Sequence, residues 1–395
     1  MARSPLLSRR KTLLGLAAAA TLRGASLALA DAPTERRLVV VILRGALDGM
    51  AAVVPYGDRD LIGLRGGLVP KPPGAEGGLL DLGGFFGLHP AMPGLHAMYA
   101  AGDLLPVHAV SNGTGTRSHF VAQDHLELGV LREGITSGWL NRVAGLLATP
   151  AGETALAIGP SLPLLLRGPA PVGTWMPAGG AHGDAAFYAA LAAMHAADPA
   201  TGPAIRLALQ ERGFSAAALA GMAPSPNQSA FPALCAAAGR LLAAPAGPRL
   251  AALEVEGWDT HAHQMQRLPP VLKTLDEGLS ALKDGLGAAW RQTVVLAITE
   301  FGRTVRINGT GGTDHGTASV AFVLGGGVAG GRVGGVWPGL APAKLFENRD
   351  LQPTADLRAV AKGLLAAHLG LDGAALASVF PDSAAIPPMR GLLRA

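Results

Sequence analysis

Short runs of uninterrupted apolar residues alternate along the chain with longer stretches of helical spacing, and this alternation sets the fold class. Residues 37–43 (RLVVVIL) carry Leu, Val or Ile at every position after the first, as expected of a strand covered on both faces. Residues 104–110, 250–255, 293–298, 319–324 and 332–337 read as further strands, and 96–101, 119–128, 272–290 and 354–369 have the periodicity of helices. Strands and helices in this order predict an α/β fold, a three-layer mixed sheet with helices on both faces. Residues 57–87 are rich in Gly and Pro and read as an irregular excursion. From about 145 to 248 Ala, Gly, Leu and Pro dominate, with helical stretches near 185–197, 203–219 and 230–244, so this region reads as a helical insertion.

Polar residues interrupt the pattern in six places, each beside a predicted strand: Asp48, Arg117-Ser118-His119-Phe120, Gly257-Trp258-Asp259-Thr260-His261, Glu300-Phe301-Gly302-Arg303-Thr304, Gly312-Thr313-Asp314-His315-Gly316 and Pro353-Thr354-Ala355-Asp356. Ligands of an open α/β sheet bind beyond the carboxyl ends of its strands, where side chains from distant segments converge. Asp48 reads either as a turn aspartate before Gly49 or as a carboxylate ligand. Ser118 opens a helix, so it is a cap or a nucleophile, since helix amides attract oxyanions. Arg117 beside it has the fork that holds a phosphate or sulfate oxygen.

Asp259, His261 and His263 place one carboxylate and two imidazoles within five residues, a donor set suited to Zn²⁺, Mn²⁺ or Fe²⁺. Which of His261 and His263 ligates is open. Glu300 ends an apolar strand and needs a partner there, either Arg303 three residues on or a metal ion. Asp314 and His315 lie between glycines that permit close backbone approach. His89, His96, His108, His125, His182, His195 and His368 lack clustered partners and read as packing or surface residues.

The 395 residues are 49% apolar, enough for a sizeable core. The first thirty are set apart. Ser8-Arg9-Arg10-Lys11-Thr12-Leu13-Leu14 looks like a twin-arginine motif, an apolar stretch covers 13–22, and Ala28-Leu29-Ala30 has the small residues of a cleavage site. Cleavage is expected before Asp31, leaving a single domain over 31–395. The apolar stretch is too short to span a bilayer, so no permanent membrane span is expected.

The leader holds five basic side chains (Arg3, Arg9, Arg10, Lys11, Arg23) and no acidic ones. Setting them aside leaves 27 positive against 28 negative, a balance of −1 that removes the case for a nucleic-acid partner. One cysteine, Cys235, excludes an internal disulfide and reads as a buried apolar residue.

With these motifs in place, the chain resembles a widespread bacterial family of twin-arginine-exported proteins, over the mature chain from Leu38 to about Phe380. More distantly it resembles the alkaline phosphatase and sulfatase superfamily, whose members hold a nucleophile at a helix N-terminus and one or two metals at the sheet's carboxyl edge. Gly326 to Val333 looks like the glycine-rich stretch of sulfatases, and 353–357 like their late aspartate segment. The resemblance implies an alkaline-phosphatase-like fold, Ser118 as nucleophile, and Asp48, Asp259, His261 or His263, Glu300, Asp314 and His315 around one or two divalent ions (Zn, Mn, Mg or Ca). The chain departs from the superfamily where Phe301 follows Glu300 and where Ser118 lacks a C/S-x-P-x-R context.

The resulting expectation is a periplasmic or secreted metal-dependent hydrolase of phosphate or related, including sulfate, esters. Its partners would be a small-molecule or polymer ester and, during export, the twin-arginine translocase. The alternative is a secreted binding or scaffold protein that keeps the fold without turnover.

Overall fold

In the computed structural model residues 25–26, 34–131, 134–148, 154–177, 185–198, 201–222, 227 and 230–394 are described. The leader motif and cleavage site lie outside the described residues, as does His182. Twelve strands are described: β1 Ala25–Ser26, β2 Arg37–Arg44, β3 Val53–Val54, β4 Leu80–Asp81, β5 Gly87–Leu88, β6 Leu104–Ser111, β7 Ala155–Ile158, β8 Val172–Trp175, β9 Leu250–Glu256, β10 Thr293–Ile298, β11 Ser319–Leu324 and β12 Ala355–Asp356. Nine form one sheet in the order β1-β8-β7-β9-β2-β10-β11-β6-β12, and β3, β5 and β4 form a small second sheet.

β2 sits in the middle of the large sheet because its side chains are apolar on both faces. Val39, Val41 and Leu43 face a layer built on the helices Pro93–Ala100, Phe231–Ala243 and Gln264–Leu286. Leu38, Val40 and Ile42 face the opposite layer, built on Trp139–Leu147, Leu357–Leu369 and Gly373–Val379. This is the expected three-layer α/β arrangement. No helix among the described residues is long and apolar enough to cross a membrane.

Strand direction decides where chemistry collects. β2 runs parallel to β9 and β10, β7 runs parallel to β8 and β9, and β12 runs parallel to β6. β11 is antiparallel to both β10 and β6, so the residues that precede it emerge at the same edge as those that follow its neighbours. Asp48, Asp259 and Glu300 follow β2, β9 and β10, while Asp314 and His315 precede β11.

Several expectations need correction. The stretch read as a helical insertion has the three helices, now Ala185–His195, Gly202–Ala218 and Phe231–Ala243, but also contributes β7 and β8 to the main sheet. Ala and Leu in a four-residue strand give no period to distinguish it from helix. Residues 332–337 form no strand and join the sheet through a bridge from Gly334 to Val107 and the Trp337 ring on His108. The helix expected from 272 starts at Gln264 and runs through Pro269 and Pro270.

Three buried histidines couple the fold to acid. Burial lowers His89, His108 and His368 to about 4 from an ordinary 6.5. The unfolded chain then binds more protons than the folded one between those values, so stability is intact above pH 6.5 and falls towards pH 4. Each site removes about 2 kcal/mol by pH 5. His368→Gln, which keeps a donor for the Arg37 carbonyl at 2.9 Å, should flatten the loss measured by denaturant titration between pH 7 and 5. An unchanged slope would refute this.

Candidate metal centre

The site is built from loops that leave the sheet at one edge. His119 is the first residue of the helix His119–Leu128, placed there by β6 and the turn that follows. Asp259 and His261 follow β9. The buried Glu300 follows β10, and His315 approaches β11 through the Gly316 turn, whose backbone packs against Arg303.

Three imidazoles turn their Nε2 atoms towards one another. His315 Nε2 lies 3.0 Å from His119 Nε2 and 3.0 Å from His261 Nε2. Asp259 Oδ1 joins them, 3.3 Å from His315, 3.0 Å from His261 and 3.7 Å from His119. Donors on bonds of about 2.1 Å to a tetrahedral ion would stand about 3.4 Å apart, a spacing that His119, His315 and Asp259 meet together, with His261 close to the last two.

The other ring nitrogens fix the orientation. His119 Nδ1 donates to Glu300 Oε1 at 2.7 Å, His315 Nδ1 to the Arg117 carbonyl at 2.8 Å, and His261 Nδ1 to Asp314 Oδ1 at 3.2 Å. A carbonyl or carboxylate oxygen only accepts, so each neutral ring carries its proton on Nδ1 and a bare lone pair on Nε2. Lone pairs and a carboxylate oxygen this close repel unless a cation lies among them. Ligand histidines in metal sites are held in this way by acceptors on the far nitrogen. The donor set therefore fits a divalent ion.

Electrostatics reinforce the fit. For Asp259, burial by itself would raise the carboxyl, but Arg303 Nη1 at 2.6 Å, with the nearby imidazoles, holds it below the usual range. Burial likewise opposes ionisation of Glu300, and is outweighed by His119, Gln123 at 3.1 Å and the Gly45 N–H at 2.9 Å. Asn308 keeps Asp314 low, followed by His261. Glu300 pushes His119 up, whereas burial pushes His315 down.

Other expected residues lie elsewhere. Asp48 is fully buried outside the cluster, paired with Arg65 at 2.9 Å, accepting from Gln264 at 2.6 Å and capping the helix Gly49–Ala52. Arg117 spends its guanidinium on Asp350 (2.7 Å) and Glu347 (2.6 Å), so it reaches the cluster through its carbonyl. Ser118 is exposed at the helix start but makes no capping bond. His263 is exposed and takes a left-handed conformation (φ 50°) at the head of the next helix, and Asp356 is bonded to Arg358. Arg303 pairs with Asp259, not with Glu300.

His119 stands out weakly in the sequence. Its one signal was the S-H-F motif at a helix start, and a lone imidazole there gives no indication that it meets His315, 196 positions later.

The imidazole-carboxylate cluster thus sits at the carboxyl edge of a mixed α/β sheet. The chain belongs to the DUF1501 family, described as a protein of unknown function, whose match spans residues 104–380 and includes every member of the cluster. No curated protein matches it. Two solved structures are similar at low identity. One is the C-terminal periplasmic domain of EptC from Escherichia coli in complex with Zn (11% identity, 76% of this chain and 76% of that chain, TM-score 0.34). The other is a protein in the alkaline phosphatase superfamily from Vibrio parahaemolyticus (12% identity, 83% of this chain and 71% of that chain, TM-score 0.33).

Proposed function

We propose that the chain is an exported metal-dependent hydrolase of phosphate or related esters, sulfate esters included, with an alkaline-phosphatase-like fold. The observation that carries the metal is the set of three Nε2 atoms and Asp259 Oδ1 facing one another while acceptors hold every Nδ1. A divalent ion bound there would polarise an ester oxygen and lower the pKa of a nearby hydroxyl.

The chain's residues divide the remaining work. His119, His261, His315 and Asp259 would hold the ion, and Glu300, Asp314 and the Arg117 carbonyl orient the rings. Arg303 keeps Asp259 ionised and in place. Ser118, whose hydroxyl is not spent on capping, is the nucleophile in this reading, and the uncapped amides of its helix face the charge that develops on the ester.

Two measurements test the reading. Metal-loaded protein should turn over 4-nitrophenyl phosphate or sulfate esters, and Ser118→Ala should lower kcat by roughly 100-fold or more with the ion still bound. Metal binding without turnover of any phosphate monoester, diester or sulfate ester would instead favour the non-catalytic alternative. Turnover unchanged in Ser118→Ala would remove the serine from the chemistry.

A further inference from the structure

The charges around the cluster select among esters. Asp259, Glu300 and Asp314 bring three negative charges and the buried Arg303 one positive, so the centre carries an excess of two negatives. One divalent cation cancels that excess. Beside it, Arg117 and Arg349 face Asp350 and Glu347 and are already balanced.

Among the described residues, most arginines close to the cluster are already paired with carboxylates. Arg44 is held by Glu127 and Glu254, Arg65 by Asp48, and Arg358 by Asp356. The exposed Arg306 donates to the Asn348 carbonyl. Side-chain amides are also occupied: Asn112 donates to the Glu300 and Ala122 carbonyls, Gln123 to Glu300, and Asn308 to Asp314 and the His261 carbonyl. A dianionic phosphate monoester would thus add two charges, and of these arginines only the exposed, solvent-screened Arg306 has no carboxylate on it to meet them beside the ion. A diester or sulfate monoester adds one, and that charge can be shared between the ion and the uncapped helix start at Ser118.

We infer that the centre takes esters bearing at most one negative charge, phosphodiesters or sulfate monoesters, in preference to phosphate monoesters. This takes its site from the hydrolase reading above, but it is a statement about anion charge and can be tested without turnover. At pH 8, where a phosphate monoester is a dianion, the metal-loaded protein should show kcat/KM about tenfold or more higher for methyl 4-nitrophenyl phosphate or 4-nitrophenyl sulfate than for 4-nitrophenyl phosphate.

With Co²⁺ as the bound ion, dimethyl phosphate should perturb the visible spectrum at about tenfold lower concentration than methyl phosphate. Glu347→Gln, which releases part of Arg117, should move either ratio about threefold towards the dianion. Equal or better binding and turnover of the monoester overturns the inference, as does a Co²⁺ spectrum that neither anion perturbs. So does a ratio indifferent to Glu347→Gln. If no ester is turned over but the monoanion binds preferentially, the hydrolase reading fails and the charge selection stands.

Discussion

Purified protein equilibrated with Zn²⁺ or Mn²⁺ and then desalted should retain about one ion per chain. Asp259→Ala and His315→Ala should each abolish that retention, because each removes a donor atom from the shared point and Asp259 Oδ1 lies within 3.7 Å of all three imidazoles. Glu300→Gln should act more gently. It leaves the donor atoms in place but weakens the acceptor on His119 Nδ1, and losses of this kind weaken metal affinity by roughly 10- to 100-fold. Elemental analysis of the three variants beside the unaltered protein decides the matter. Full retention in both alanine variants would show that the cluster is not a metal site.

The second large effect concerns stability. Asp48→Ala should destabilise the fold by about 3–5 kcal/mol, because it leaves Arg65 buried without its counter-charge, as expected when one partner of a buried pair is removed. Retention of the ion should be unchanged wherever the variant is folded. The Arg65 guanidinium also holds the Thr304 and Val305 carbonyls at 2.7 and 2.8 Å, so the damage should spread to the loop after Glu300. Denaturant titration gives the first quantity and metal analysis the second. A stable Asp48→Ala protein that has lost its ion would return Asp48 to the ligand set.

These two experiments divide residues that looked alike in the sequence. Asp48 and Asp259 both follow an apolar strand, and strand order alone correctly puts both at the carboxyl edge. What separates them is the identity of the arginine that reaches each. Arg65 lies in a Gly- and Pro-rich stretch with no period to place it, and the spacing of three offers Arg303 to Glu300 as one partner beside a metal ion. At Gly302 the chain packs so tightly on the start of β11 that a Cβ there would lie 1.8 Å from the Ala318 carbonyl oxygen, and beyond it Arg303 reaches Asp259.

The buried strands were legible because their composition is uniform over six or more residues. β7 and β8 were not, being four residues each and set among alanine-rich helices. Clustering within one loop pointed to Asp259 and His261, and to Asp314 and His315. A contribution from a single side chain, as at His119, has no such signature.

The order of strands in the sheet also bears on how the molecule comes to exist. β2 is made early but its neighbours in the sheet are β9 and β10, and the Gly45 amide next to it waits for Glu300, 255 positions later. Closing loops of that length slows folding, since their entropy is lost before any contact compensates it. His315, which touches both other imidazoles, comes on the segment that leads into β11, so a nascent chain that stops before it holds the centre without its middle ring.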